Sequence, residues 1–235
     1  MANALGGRAD GLYVGGSMAS GDYRPGISDI DAVALIPLRL SASDRAALVE
    51  VHARLAELYE SGRVLHCVYV PRGEVDDVGR RHWTWAHGEL YRRPLGGIAR
   101  AELLADPVIA FGPAPSTWLP PVDDDALKVA ARAELSGYWA RALRKRSIWL
   151  EDVYVDLGLT VWARADATIS DSVLITKSEA IHRMRSRELP SAIVDGVAAR
   201  RTGRSMELSQ EERDSRAEVV RAFLTREFDR LARRQ

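Results

Sequence analysis

Ten residues, Gly112 to Pro121, carry four prolines and divide the chain into two stretches of different pattern. Proline lacks an N–H and has a fixed φ, so such a run continues neither a helix nor a central strand. Before it, short apolar runs alternate with helical periodicity. After it, the pattern is helical almost to the last residue. The fold class this implies is α+β. A mixed β-sheet flanked by helices occupies residues 1–121, and an all-α helical bundle occupies residues 122–235.

In the first stretch, Gly11 to Val14 is a short strand that runs into Gly15 and Gly16. Asp31 to Leu38 is a second apolar strand, and Val64 to Val70 a third, stopped by Pro71. Between them, Leu48, Val51, Leu55 and Leu58 repeat at helical spacing from Ser41 to Gly62. Ser41 with Asp44 resembles a capping box, and Gly62 stands where a C-cap is expected. Gly88 to Arg92 and Val108 to Phe111 read as shorter strands, with a helix at Ile98 to Leu104 between them. In the second stretch, Asp123 caps a helix to about Ser147. Helices follow at Glu151–Ile169, Thr176–Arg187, Pro190–Arg201 and from Ser209 almost to Gln235.

Composition removes whole classes of function. Of 235 residues, 46% are hydrophobic and 28% charged, enough apolar surface for a packed core and against disorder. Lys plus Arg and Asp plus Glu are both 33, so a life on nucleic-acid phosphates is disfavoured. No apolar run reaches the roughly 18–20 residues that span a bilayer. Met1 to Asp10 has no basic region followed by an apolar one, so no leader is expected there. The single cysteine, Cys67, has no partner for an internal disulfide, and the expected location is the cytoplasm.

The chemistry lies between Val14 and Ile36. A strand meets Gly16 and Ser17, a turn whose N–H groups and hydroxyl can cradle phosphate oxygens. The chain returns at Asp29-Ile30-Asp31, the start of the second strand. Strand side chains alternate, so both carboxylates point to one face. Two carboxylates on one face make a hard oxygen site suited to Mg²⁺. Paired aspartates entering an apolar strand would be costly to bury without a cation. Other patterns are weak. His82 and His87 have no third ligand at metal spacing, and no Gly-Lys-Ser/Thr phosphate loop occurs.

These residues resemble a family signature. Gly16-Ser17, eleven residues, then Asp29-Ile30-Asp31 is similar to the motif of the polymerase-beta-type nucleotidyltransferase superfamily. The longer string GSMASGDYRPGISDID resembles the streptomycin and spectinomycin (aminoglycoside) adenylyltransferases. That resemblance implies an N-terminal nucleotidyltransferase domain, a following helical bundle and an active site in the cleft between them. It implies ATP as substrate, with Gly16, Ser17 and Ser28 at its phosphates and Asp29 and Asp31 holding Mg²⁺. In the bundle, LTVWARADATISDSVLITKSEA resembles a family segment whose arginine and later lysine reach the phosphates. The matching residues are Arg164 and Lys177.

The sequence departs from the family where a third carboxylate normally serves as general base on the next strand. His66 occupies that position. Imidazole titrates near neutrality and can take the base's role, but it binds Mg²⁺ poorly. A base supplied elsewhere, for instance by Glu89, and a loss of transfer activity are the other readings. The acceptor the resemblance implies is a small molecule, an aminoglycoside or aminocyclitol. Such polycations need carboxylates and aromatic walls, for which Glu89, Trp85, Asp156 and Tyr154 are candidates. Two rival functions remain open: an antitoxin-like nucleotidyltransferase that modifies a protein, and a non-catalytic nucleotide-binding protein. Neither nucleic acid nor membrane is expected as a partner.

Overall fold

A computed structural model describes residues 9–233. The N-terminal stretch read for a leader lies almost wholly outside them. The chain forms two compact units, one ending at Val122 and the other beginning at Asp123.

Among the described residues the first unit has six strands: β1 (Gly11–Val14), β2 (Ile30–Ile36), β3 (Leu65–Pro71), β4 (Arg81–Ala86), β5 (Glu89–Pro94) and β6 (Val108–Phe111). Their order is β5-β4-β3-β2-β1-β6. Only β2 and β3 run parallel; the other neighbours are antiparallel. A parallel pair needs a crossover, which α2 (Ala42–Leu58) and the single turn α3 (Glu60–Arg63) supply. One-turn α1 (Gly16–Ala19) follows β1, and α4 (Gly97–Ala105) follows β5.

Alternation gives the sheet two apolar faces. Tyr13, Val33, Leu35, Val68 and Val70 pack toward Leu103 of α4 and Trp118. Ala32, Ala34, Ile36, Cys67 and Tyr69 pack toward Leu48 of α2. Burial pushes the Cys67 thiol up to about 12, so it stays a small apolar core residue rather than a nucleophile. His52 of α2 is fully buried. Its Nε2 lies 2.6 Å from the Tyr69 hydroxyl, and its ring stacks on Trp85 at 4.7 Å.

The crossover helix differs from its sequence reading. Ser41 and Asp44 do form a capping box, but α2 ends at Leu58, and Tyr59 is extended. Gly62 is not its C-cap. It sits where a Cβ would lie 2.3 Å from the Leu55 carbonyl oxygen, so the glycine permits a close turn. The segment containing Trp83 and Trp85 is a full strand, β4, with both indoles on the α2 side.

The second unit is helical: α5 (Asp124–Glu134), α6 (Ala140–Ala142), α7 (Asp152–Asp171), α8 (Lys177–Arg185), α9 (Ser191–Arg201) and α10 (Gln210–Arg233). Asp123 caps α5 by accepting from Ala126 N, and Thr176 with Glu179 forms a capping box on α8. The expected continuous helix from Asp123 to Ser147 is broken. A wide turn at Leu135–Trp139 contains Gly137 at ψ −105°, and a 3₁₀ segment spans Arg146–Leu150. Central α7 buries Val155, Leu159, Trp162 and Ala163, and Trp162 meets Phe223 of α10 edge-on at 4.6 Å. Within this unit Asp166, with no exposed surface, accepts from Arg183, Arg187 and Arg230. Burial alone would raise its carboxyl; these three bonds outweigh it and hold the group down at about 2.

Candidate active site

The site begins where β1 ends. Gly15 N donates to Asp31 O at 2.8 Å, tying the turn to the first residues of β2. Gly16 then takes φ +58°, the left-handed region that glycine enters without steric cost. A Cβ at this position would stand 2.6 Å from Asp31 Oδ2. The glycine therefore allows close approach between the turn and a carboxylate. Ser17 follows in α1, and Asp22 N donates back to Ser17 O, which curls the loop. Ser28 is 1% exposed; its hydroxyl accepts from Arg24 N and its own N donates to Arg24 O. Ser28 thus braces the loop that delivers Asp29.

Asp29 and Asp31 have side chains about half exposed, at 49% and 52%, at the mouth of β2. His66 is the register partner of Asp31 on the parallel strand β3. Its Nδ1 lies 3.7 Å from Asp31 Oδ1 and its Nε2 4.0 Å from Asp29 Oδ1. Both distances are within ion-pair range and too long for hydrogen bonds. Two carboxylates and an imidazole therefore converge on one face, beyond the apolar row of Val33, Leu35, Val68 and Val70.

A second histidine joins them that the sequence reading had considered only as a metal ligand. Ala86 pairs with Glu89, leaving His87 and Gly88 as a two-residue hairpin loop. Their φ values are +55° and +81°, the pattern of a type I′ turn. The turn sets the His87 ring edge-on to His66, with centroids 4.7 Å apart. The His-Gly pair between two runs of alternating residues was the signal for this hairpin.

The chemistry of the donor set fits a hard cation. Among the described residues no group of three or more His, Cys, Asp or Glu side chains is placed to hold a metal. Two aspartates are nevertheless a sufficient protein contribution for Mg²⁺, which keeps waters and takes further oxygens from substrate phosphates.

In the helical unit, Arg164 Nε donates to Ile175 O at 2.8 Å. Lys177 is the first residue of α8, two positions on. The α7–α8 turn thus gathers the two cations singled out in the sequence. A lysine at a helix N-terminus opposes the dipole, and Glu179 in the same first turn offsets it.

Neither a protein-family model nor a curated protein sequence matches the chain. A solved structure does. Spectinomycin adenyltransferase AAD(9) from Enterococcus faecialis, crystallised with ATP and spectinomycin, superposes with a TM-score of 0.73. The match covers 95% of this chain and 94% of that one, at 14% sequence identity. The chain has the fold of a spectinomycin adenyltransferase.

Of the acceptor candidates, Glu89 and Trp85 belong to the sheet unit and Asp156 to the helical unit. Glu89 is exposed on β5, on the same face as His66 but two strands away, roughly 10 Å at ordinary strand spacing. Trp85 is 4% exposed and stacked on His52, on the opposite face of the sheet from His66. That placement removes it from an acceptor wall at this site. Parity explains the miss, since Trp85 pairs with Cys67, not with a residue of His66's face. Asp156 receives both Nε and Nη2 of Arg200, at 2.9 and 2.7 Å. Burial raises its carboxyl and the Arg200 bonds oppose that. Its charge is committed within the helical unit, so it is not a free carboxylate for a cationic acceptor. No described helix is long and apolar enough to cross a membrane.

Proposed function

We propose that the protein is a Mg²⁺-dependent nucleotidyltransferase that moves AMP from ATP to a hydroxyl of a small-molecule acceptor and releases pyrophosphate. The supporting observation is the convergence of Asp29, Asp31 and His66 beside the Gly16 turn. The acceptor class favoured is an aminoglycoside or aminocyclitol, because the fold is shared with an enzyme crystallised with spectinomycin.

Asp29 and Asp31 would hold Mg²⁺, which supplies positive charge to the triphosphate as the α-phosphorus is attacked. Gly16 and Ser17 offer N–H groups and a hydroxyl to the phosphate oxygens, and Ser28 keeps that loop in shape. Arg164 and Lys177 add cationic charge for the phosphates. His66 takes the proton of the acceptor hydroxyl. The new bond joins that oxygen to the α-phosphorus, and the bond to the bridging oxygen of the β-phosphate breaks. His66 thereby performs the task a third carboxylate performs elsewhere in the superfamily it resembles.

The test is pyrophosphate release from Mg-ATP with spectinomycin and streptomycin, with Asp31→Ala as control. Release in the parent and none in the variant supports the reading. ATP binding without release for any aminoglycoside favours the nucleotide-binding alternative, which the replacement of the usual carboxylate by His66 motivates.

A further inference from the structure

At the opposite end of β2, and on the α2 face of the sheet, lies a cavity of about 350 Å³. It is separated from Asp31 by the length of the strand, five residues or about 16 Å. Five arginines line it (Arg39, Arg45, Arg80, Arg81 and Arg92), with Glu74 as the sole carboxylate among the lining residues. The whole chain has zero net charge, so this concentration does not follow from a generally basic surface.

The arginines are held, but most are not neutralised. Arg39 pairs with Glu74, which occupies that carboxylate. Arg80 lies 3.8 Å from Asp77. Arg81 and Arg92 donate to each other's main-chain carbonyl oxygens, and Arg45 to Leu40 O. For these last three, no carboxylate among the described residues stands within ion-pair distance. Arg45 and Arg92 also lie over the Trp83 ring, at 4.9 and 5.7 Å from its centroid. An aromatic ring in contact with two guanidinium groups helps hold both without cancelling either charge. The first turn of α2 borders the same space, although Asp44 offsets that helix end through its capping box. His82 also borders it, although alternation along β4 turns its ring to the other face of the sheet from Trp83.

Fixed guanidinium groups crowded around a cavity repel one another unless an anion sits among them. Their planar forks match phosphate oxygens, and the volume falls within the usual range of small-ligand sites. We propose that this cavity binds the di- or triphosphate group of a small anion, at a site separate from Asp29 and Asp31. The proposal does not rest on nucleotidyl transfer.

The test is calorimetric titration of inorganic triphosphate into the intact chain with EDTA present. Without a divalent cation, Asp29 and Asp31 repel the ligand. Saturable binding is expected in the parent chain, weakened at least about tenfold in Arg81→Gln/Arg92→Gln. Arg141→Gln/Arg144→Gln, which removes the same charge from exposed positions in the other unit, is expected to bind like the parent. Arg45→Gln provides a second variant if circular dichroism shows the first to be misfolded. Equal affinity in parent and Arg81→Gln/Arg92→Gln, or equal weakening by both double variants, overturns the proposal. Loss of binding in Lys177→Met alone also overturns it, because the anion then occupies the helical unit. Titration with ADP and ATP separates the sources: tighter binding than inorganic triphosphate identifies a nucleotide, weaker binding a free polyphosphate, and both support the phosphate class.

Discussion

The backbone of Gly16 approaches Asp31 so closely that a Cβ would come within 2.6 Å of Oδ2. Gly16 also holds φ +58°. One residue thus meets two demands, a left-handed turn and clearance for a carboxylate.

Gly16→Ala tests both demands. The left-handed backbone alone costs an alanine about 1–2 kcal/mol. The added methyl must also displace Asp31, so transfer activity is expected to fall far more than folding stability does. Urea denaturation measures the first effect and pyrophosphate release the second. A variant that loses stability but keeps full turnover would show that the Asp31 position is not critical.

His66→Ala removes the ring that faces both carboxylates. Loss of a general base lowers turnover by about 10²–10⁴-fold, while ATP affinity, which rests on other residues, stays near the parent value. Steady-state kinetics with ATP varied separates the two. His66→Glu is expected to restore part of the lost turnover, since it returns the carboxylate that the resembled family carries there.

His52 gives the fold a defined acid sensitivity. Burial lowers its pKa from 6.5 to about 4, so the folded state keeps it neutral where the unfolded chain would protonate it. Its stabilising contribution is fully present above about pH 6.5. That contribution is lost progressively as pH falls toward 4. The difference in unfolding free energy between the parent chain and His52→Gln, followed by urea melts across this range, is expected to shrink as the solution is acidified. A difference that is flat with pH would contradict the neutral, buried histidine.

In the helical unit, Asp166→Asn leaves the partly exposed guanidinium groups of Arg183, Arg187 and Arg230 facing a neutral amide at a buried position. Removing one partner of a fully buried ion pair costs about 3–5 kcal/mol, and the solvent access of the arginines places this change toward the lower end. Thermal unfolding is expected to show a correspondingly large drop. Near-parent stability would mean that Asp171 and Glu227, which also pair with Arg183 and Arg230, carry those charges alone.

Legibility in the sequence followed the range of the interaction. The Gly16 turn, the Asp29/Asp31 alternation and the Thr176 capping box are local, and their residue types state them directly. His66 was picked out through the resemblance, which puts a third carboxylate at that position of the next strand, and the β2–β3 register pairs it with Asp31. Trp85 and Asp156 were misjudged because their partners are distant. His52 sets one and Arg200 the other, and no local pattern reports either contact. The break at Gly137 escaped for a different reason. A single glycine is tolerated inside many helices, and its unusual ψ arises only from packing. His87 was visible as a residue but not as a neighbour of His66, because that depends on how β4 registers against β3.

The most direct measurement is mass spectrometry of spectinomycin and streptomycin after incubation with Mg-ATP and the intact chain, in parallel with Asp31→Ala. The expected result is an acceptor heavier by one adenylyl group, formed by the parent chain and absent with the variant. Unmodified acceptors under conditions where ATP binds, or equal product with Asp31→Ala, would contradict transfer through the Asp29–Asp31–His66 site.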